Sequence, residues 1–437
     1  MTSLPLLSEN NYLYDREDHA AAHTGDYVFS QLIPYIGNKR KLLGLIQKAL
    51  HKVGVGADAT FLDVFAGSGV VSRMAKKMGF RVVTNDWEPY SFEINKCCIQ
   101  CNGAPAFRHL GGYASALDLL NTLSPVEDWI TKHLCPSDDD NYDILTDRLF
   151  YTRSNGMIID AMRVEVARWE KAGLISSLEK ASLLAPMLYQ ACYTSNTSGV
   201  FKGFHNGWGG QTRTALYRIL SEFHLKPMIF HDNGKDNLAF QVDSADLAQT
   251  LEAFQVGADV AYLDPPYNQH PYGSNYHVLN TIALWDEPVL SERIEGRNKA
   301  AIREDWRTQR RSAYNYRREA TAAYVGLMHS LRARYLLTSY STDGMVSLRD
   351  LVETCVSRGQ TDFVLQGYKR YRVSSQRFSH KPVNIEFILT VDTSKDHQGP
   401  SVQEICDKIV QAEQTALVQH PEIAPGRFKQ TVMFEGE

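Results

Sequence analysis

Two short stretches carry side chains whose types and spacing could do chemistry. The first is Asp63-Val-Phe-Ala-Gly-Ser-Gly69, with Phe65, Ala66, Gly67 and Ser68 between its acidic start and its last glycine. Glycines at a strand-to-helix junction let the backbone approach a ligand closely, and the turn opens onto a helix N-terminus. The spacing is not G-x-G-x-x-G, which argues against a nicotinamide site. An acidic residue ending the next strand would bind ribose hydroxyls, and Asp86 stands there, followed by Trp87. The pair points to a cofactor bearing adenosine; a plain tight turn is the bland alternative.

The second stretch is Asp264-Pro265-Pro266-Tyr267, directly after an apolar run. Two prolines fix the backbone and remove two donors, so the strand ends abruptly where ligands bind in open α/β folds. A carboxylate and a free carbonyl beside a flat ring suit a planar group with an amine. An Asp-Pro pair that merely opens a turn is the alternative.

The elements that must position these stretches are legible from the pattern. Leu42, Leu43, Ile46 and Leu50 recur at helical spacing. Thr60–Phe65 reads as a strand, Val70–Met78 as a helix and Phe80–Thr84 as a second strand, a β-α-β unit that implies a parallel sheet. From about 105 to 235 the pattern is helical, as in Leu145–Ala172 and Ser176–Gln190, and it includes a polar glycine-rich stretch, Thr194–Gly210. Strands resume at Ala239–Val242, Ala258–Leu263, Tyr335–Tyr340, Phe363–Val373 and Val383–Val391, and a helix is expected over Val402–Thr415. The expected fold is α/β. Residues 1–28 form an arm, 29–104 and 236–397 a catalytic body, 105–235 an inserted, mainly helical region, and 398–437 a tail.

The bulk composition suits a folded enzyme. Of 437 residues, 43 % are hydrophobic and 22 % charged, and 46 basic against 50 acidic residues leave a net charge of -4. The total argues mildly against a nucleic-acid partner, but only one face need touch phosphate. Arg293–Arg334 is rich in arginine, including Arg307, Arg310, Arg311 and Arg317, with Tyr314 and Tyr316 among them. A solvated helix face is the alternative there. Seven scattered cysteines form no disulfide framework, and Cys97, Cys98 and Cys101 read as small buried residues rather than a zinc site. The first 20 residues lack a basic leader and a long apolar core, and no run approaches a membrane span, so the expected location is the cytoplasm.

With both motifs in place, the sequence resembles the DNA adenine methylase type of N6-adenine-specific DNA methyltransferases. Pro34-Tyr-Ile-Gly-Asn-Lys-Arg-Lys-Leu-Leu43 resembles the extra cofactor motif these enzymes carry upstream of the glycine turn. The run Asp264–His277 extends the match, as does Ser195–Phe201, which is similar to a DNA-contacting loop of the family. The order of motifs is that of the branch whose target-recognition region lies within the insertion. The resemblance implies a Rossmann-like sheet that binds S-adenosylmethionine. Tyr35, Lys39 and the Asp63–Gly69 turn would hold its methionine part, Asp86 the ribose and Asp243 the adenine, with Trp87 packing the ring. Asp264 and the Pro265 carbonyl would bind the target amine, and Tyr267 would stack on the base. Contacts to duplex DNA are expected from Asn196, Lys202, His205, Asn206, Arg213, Tyr276, Arg307, Arg310, Arg311 and Arg317. The implied transfer needs no metal and no cysteine nucleophile, and a restriction endonuclease acting on the same site is a possible partner. N4-cytosine methylation, RNA adenine methylation and an inactive DNA-binding module are the competing readings. The first more often has serine, and the second asparagine, at the position of Asp264.

Overall fold

A computed structural model of the protein describes residues 26–267, 269, 271–291, 294, 296–303, 306, 309–342, 344–369 and 383–419. In chain order, a 3-10 turn (Lys39–Leu42) runs into α1 (Leu43–Val53), then β1 (Thr60–Asp63), α2 (Val70–Lys77), β2 (Arg81–Asn85) and α3 (Pro89–Asn95). Helices α4 (Tyr113–Asn121), α5 (Trp129–Leu134), α6 (Arg153–Lys171), α7 (Ser177–Thr194) and α8 (Leu216–Ile219) follow. Then come β3 (Leu238–Phe240), α9 (Leu247–Ala253), β4 (Ala258–Leu263), α10 (Tyr272–Asn275) and α11 (His277–Leu284). The chain continues with α12 (Arg317–Ser330), β5 (Ala333–Ser341), α13 (Leu348–Arg358), β6 (Gln360–Lys369), β7 (Val383–Asp392) and α14 (Val402–Gln419). The fold is mixed α/β, as expected.

The chain divides into two compact units. One comprises Met1–Leu43, Gly56–Thr250 and His270–Ser312, the other Gly44–Val55, Leu251–Gln269 and Ala313–Glu437. In the first, β3, β2 and β1 pair in that order, all parallel. Helix α2 supplies the crossover that parallel neighbours need. Asn85 locks the carboxyl ends of these strands. Its buried amide donates to the carbonyls of Val64 (3.2 Å) and Val242 (3.1 Å) and accepts from the Val242 N–H (3.1 Å). The expected strand over 239–242 is therefore shifted to 238–240, because Val242 bonds a side chain instead of a strand.

Five α-helices, a 3-10 turn (Arg108–Leu110) and no strand occupy 105–235 among the described residues. Helix α6 starts at Arg153, eight residues after the periodic pattern begins. Leu145 is exposed, Asp143 and Asp147 close a local turn, and Thr152 caps the helix by accepting from the Asn155 N–H. Helix α7 opens on a capping box in which Ser176 and Glu179 satisfy each other's backbone N–H groups. The arm also reaches inward. Tyr27 and Val28 are buried, and the Tyr27 hydroxyl donates to the Cys98 carbonyl at 2.5 Å. Cys97, Cys98 and Cys101 are buried, and among the described residues no group of three metal-ligating side chains forms.

In the second unit β4 and β5 pair in parallel, whereas β7 runs antiparallel to both β5 and β6. The last four residues of β4 and nearly all of β5 are buried, as in a sheet covered on both faces. Helix α14, set in the expected tail, buries Ile405 and Ile409, and its Glu413 accepts from the Thr342 hydroxyl at 2.9 Å. No helix among the described residues is long and apolar enough to cross a membrane.

Candidate active site

The glycine turn is built from contacts too close for any other residue. Gly67 and Gly69 both have positive φ, 51° and 78°. A Cβ on Gly67 would stand 2.7 Å from the Tyr35 ring, and one on Gly69 2.4 Å from Asn95 Oδ1. The Gly67 carbonyl accepts from Ser91 Oγ (2.7 Å) and Asn95 Nδ2 (3.2 Å), one turn apart on α3. Its N–H donates to Asp86 Oδ2 at 2.7 Å, while Asp86 Oδ1 accepts from the Glu88 N–H at 2.9 Å. Asp63 is buried and accepts from the Ser72 hydroxyl at 2.6 Å, which ties the end of β1 to α2. Asn38 donates to Ser68 Oγ at 3.2 Å, and Lys39 is buried beside it in sequence. The fold thus brings Tyr35, Asp63, Gly67, Ser68, Gly69 and Asp86 together. Asp243 accepts from the Ala245 N–H at 3.0 Å, just beyond the Val242–Asn85 lock.

Sequence reasoning missed what surrounds this turn. Tyr35 lies in an aromatic stack, 5.1 Å from Tyr272 and 5.3 Å from Tyr276 between ring centres, with Tyr90 tilted against it. Burial raises the Tyr35 phenol well above its ordinary range, with the Asp86 charge adding to it. Glu88 is buried and accepts from Asn280 Nδ2 at 2.7 Å. Burial pushes its carboxyl up to about 7, against the opposing pull of Arg310 and Asn280. Burial likewise raises Asp86. A chain of polar residues spaced along α3 after Asp86 was the one signal available for Ser91 and Asn95; Asn280 and Arg310 come from far in sequence.

In the second unit, Asp264 follows the buried end of β4, and Pro265 is buried. Tyr267 packs edge-on against Tyr340 at 5.8 Å and 67°. Tyr340 is itself fixed: its hydroxyl accepts from the Val346 N–H at 3.1 Å, and a Cβ on Gly344 would collide with its ring at 1.9 Å. Burial pushes the Tyr340 phenol up to about 12, with Tyr267 and Asp264 adding to it. Pattern reading found the strand but not Tyr340 as the support of Tyr267.

The residues expected to meet DNA fall into three groups. Asn196 and Tyr276 face inward. Asn196 is fully buried; it donates to the carbonyls of His205 and Gly207 and accepts from the Gly209 N–H at 3.1 Å. Tyr276 is fully buried and accepts from the Ile36 N–H at 2.8 Å. Arg310 also turns inward, donating to the Trp87 carbonyl. Lys202 and His205 are half-buried, and Asn206, Arg213, Arg311 and Arg317 are exposed, the last opening α12 in the second unit. Arg307 lies outside the described residues.

Comparison with known proteins converges on one group. The chain is 28 % identical to the type II methyltransferase M.NlaIII of Neisseria lactamica over 356 residues, 81 % of this chain and 96 % of that one. It is 29 % identical to the modification methylase StsI of Streptococcus sanguinis over 322 residues, 72 % of this chain and 45 % of that one. It is 27 % identical to M.CviAII of Paramecium bursaria Chlorella virus 1 over 341 residues, covering 78 % and 93 %. The chain therefore spans most of two of these relatives and about half of the other. Residues 35–300, which include the upstream motif from Tyr35 on, the turn and Asp264–Tyr267, match one family, and this chain belongs to it: the D12 class N6 adenine-specific DNA methyltransferases.

Proposed function

We propose that this site-specific adenine DNA methyltransferase takes its methyl group from S-adenosylmethionine and acts on an adenine turned out of the duplex. The observation that carries this reading is an intact Asp264-Pro-Pro-Tyr267 on a fixed strand end, in a chain that also holds a cradle fit for the cofactor. That fit rests on the turn: two glycines where a Cβ would collide, and beside them an Asp86 carboxylate, an acceptor suited to ribose hydroxyls, held in place by the N–H groups of Gly67 and Glu88. When bound, S-adenosylmethionine supplies an electrophilic methyl group. Tyr35, Lys39 and the Asp63–Gly69 turn hold its methionine end, Asp86 the ribose, and Asp243 and Trp87 the adenine.

A base inside a duplex is out of reach, so flipping precedes the chemistry. Tyr267, braced by Tyr340, stacks on the flipped base and offsets part of the unstacking cost, about 1–3 kcal/mol. Asp264 and the Pro265 carbonyl accept hydrogen bonds from the exocyclic amine. They leave its lone pair pointed away from them and stabilise the positive charge that builds on nitrogen. Region 105–235 reads the target, with Lys202, His205, Asn206 and Arg213 on the loop after α7. The relatives' names, type II methyltransferase and modification methylase, support pairing with an endonuclease of the same site. Cytoplasmic location suits such an enzyme.

The test offers labelled S-adenosylmethionine and duplex DNA to the protein and to its Asp264→Ala variant. Label should enter N6-methyladenine, and the variant should lose roughly 10²–10³-fold in kcat while binding the cofactor within about twofold of the parent. Label in RNA or in methylcytosine, or full turnover by the variant, would refute the assignment.

A further inference from the structure

The basic run around residue 310 predicts side chains that face phosphate, yet Arg310 does not follow it. Its guanidinium sits 4.8 Å from the centre of the Trp306 ring and 5.2 Å from that of Trp87, so it is held between two indoles. It also donates to the Trp87 carbonyl, and its charge acts on Glu88 and Asp86. Glu88 is anchored from the other side by Asn280, whose own Oδ1 accepts from the Tyr90 N–H at 3.3 Å. Helix α10 closes the group without slack: a Cβ on Gly273 would lie 2.9 Å from Trp306 and 3.4 Å from Glu88 Oε1.

We propose that Arg310 and Glu88 are positioning residues of the cofactor site, fixing the Asp86 carboxylate and the Trp87 ring for the adenosine end of the ligand. The inference rests on the cofactor reading given above. Its physical basis is the proximity of two carboxylates, Glu88 buried and Asp86 half-buried. Asp86 and Glu88 are two residues apart, and like charges in so dry a setting disfavour joint ionisation. Arg310 offsets that repulsion. It leaves Asp86 free to accept hydrogen bonds from a diol while its backbone contact to Gly67 keeps the turn in shape. A planar guanidinium can lie flat against two indoles and donate in its own plane; an ammonium keeps the charge but loses the flat contact.

The experiment measures, by titration calorimetry, binding of S-adenosylmethionine and of S-adenosylhomocysteine to the full chain and to Arg310→Gln, Arg310→Lys and Arg311→Ala. DNA affinity is measured for the same proteins at several salt concentrations, and melting curves show which variants fold. Arg310→Gln should weaken both ligands by the same factor, roughly tenfold or more, because both carry the adenosine end. Arg310→Lys should recover part of that loss, and it tests the proposal even where the glutamine variant does not fold. Neither should alter the salt slope of DNA binding. Cofactor affinity unchanged in both Arg310 variants, with a salt slope reduced by about one, would make Arg310 a phosphate contact and overturn the proposal. A parent protein that binds neither ligand would instead overturn the cofactor reading, and this inference with it; Arg311→Ala losing as much cofactor affinity as Arg310→Gln would overturn the inference alone.

Discussion

The turn at 63–69 and the loop at 195–210 are both rich in glycine and lie in the same unit, but they use it differently. In the turn, space compels glycine: side chains from Tyr35 and Asn95 already fill the volume a Cβ would take. In the loop the demand is weaker: Gly203 and Gly207 would each meet nothing closer than 3.5 Å, and Gly199, Gly209 and Gly210 combine a positive φ with Cβ contacts of 3.0–3.3 Å, looser than the 2.4–2.7 Å of the turn. The loop is held instead by side chains. Asn196 spans it from within, and its Phe201 is bolted at both backbone groups, the N–H to the Asn275 carbonyl (2.7 Å) and the carbonyl to His277 Nε2 (2.8 Å). A turn packed to this density offers a ligand one fixed surface. The loop is also tied by Arg218, which donates to the Ser195 and Thr197 carbonyls, and by Trp208, which donates to the Asp139 carbonyl, while Asn206 in it and Arg213 just after it stay exposed. That division suits a constant cofactor on one side and a varied target on the other.

The largest expected effect would come from breaking the turn. Gly67→Ala must bear a left-handed backbone, about 1–2 kcal/mol, and displace Tyr35, about 1–3 kcal/mol for overpacking. A loss of roughly 2–5 kcal/mol by urea unfolding, with cofactor binding lost beside it, is expected. A variant as stable as the parent would show that the Tyr35 stack yields easily, and the contrast with the loop would fail.

The loop's bolt should show itself through pH. His277 is buried, and burial lowers its imidazole to about 4, with Arg303 and Arg148 adding to the lowering and the carbonyls of Phe201 and Ala300 opposing it. The ordinary value is about 6.5. Between 4 and 6.5 the unfolded chain takes up a proton that the folded one does not, so stability contributed above pH 6.5 is lost as pH falls through that window. The full difference is on the order of 3 kcal/mol. Urea midpoints at pH 7, 5.5 and 4 should fall accordingly, and His277→Gln should flatten the decline. An equal decline in the variant would place the titration elsewhere.

The same contrast explains what was legible in the sequence. The β-α-β pattern, the turn and Asp264–Tyr267 were readable because local spacing dictates them: Ala258–Leu263 is a strand over the residues expected. Helix starts were less so, since exposed Leu145 carries the same letter as a buried one. The roles of Arg310, Glu88, Asn280 and Tyr340 were not readable. Each depends on a partner tens to hundreds of residues away, and a basic run looks the same whether its arginines face solvent or an indole. Asn196 lay in a motif that could be recognised, but only its burial shows that its amide serves the loop itself.

The smallest effect should have the opposite sign. Gly203 is exposed, has nothing within 4 Å of where a Cβ would stand, and does not adopt the left-handed backbone that disfavours other residues. Alanine there loses no native contact and restricts the unfolded chain, so Gly203→Ala should stabilise by about 0.4–1 kcal/mol. The measurement is a melting temperature without DNA, followed by DNA affinity. A more stable protein with unchanged DNA binding would place Gly203 on the loop's idle side. A more stable protein that binds DNA less well would mean that the glycine is kept for the approach of a phosphate or a base, as the turn's glycines are kept for Tyr35 and Asn95. Destabilisation would contradict the open space around it, and with that the claim that Gly203, unlike the glycines of the turn, is not held by close packing.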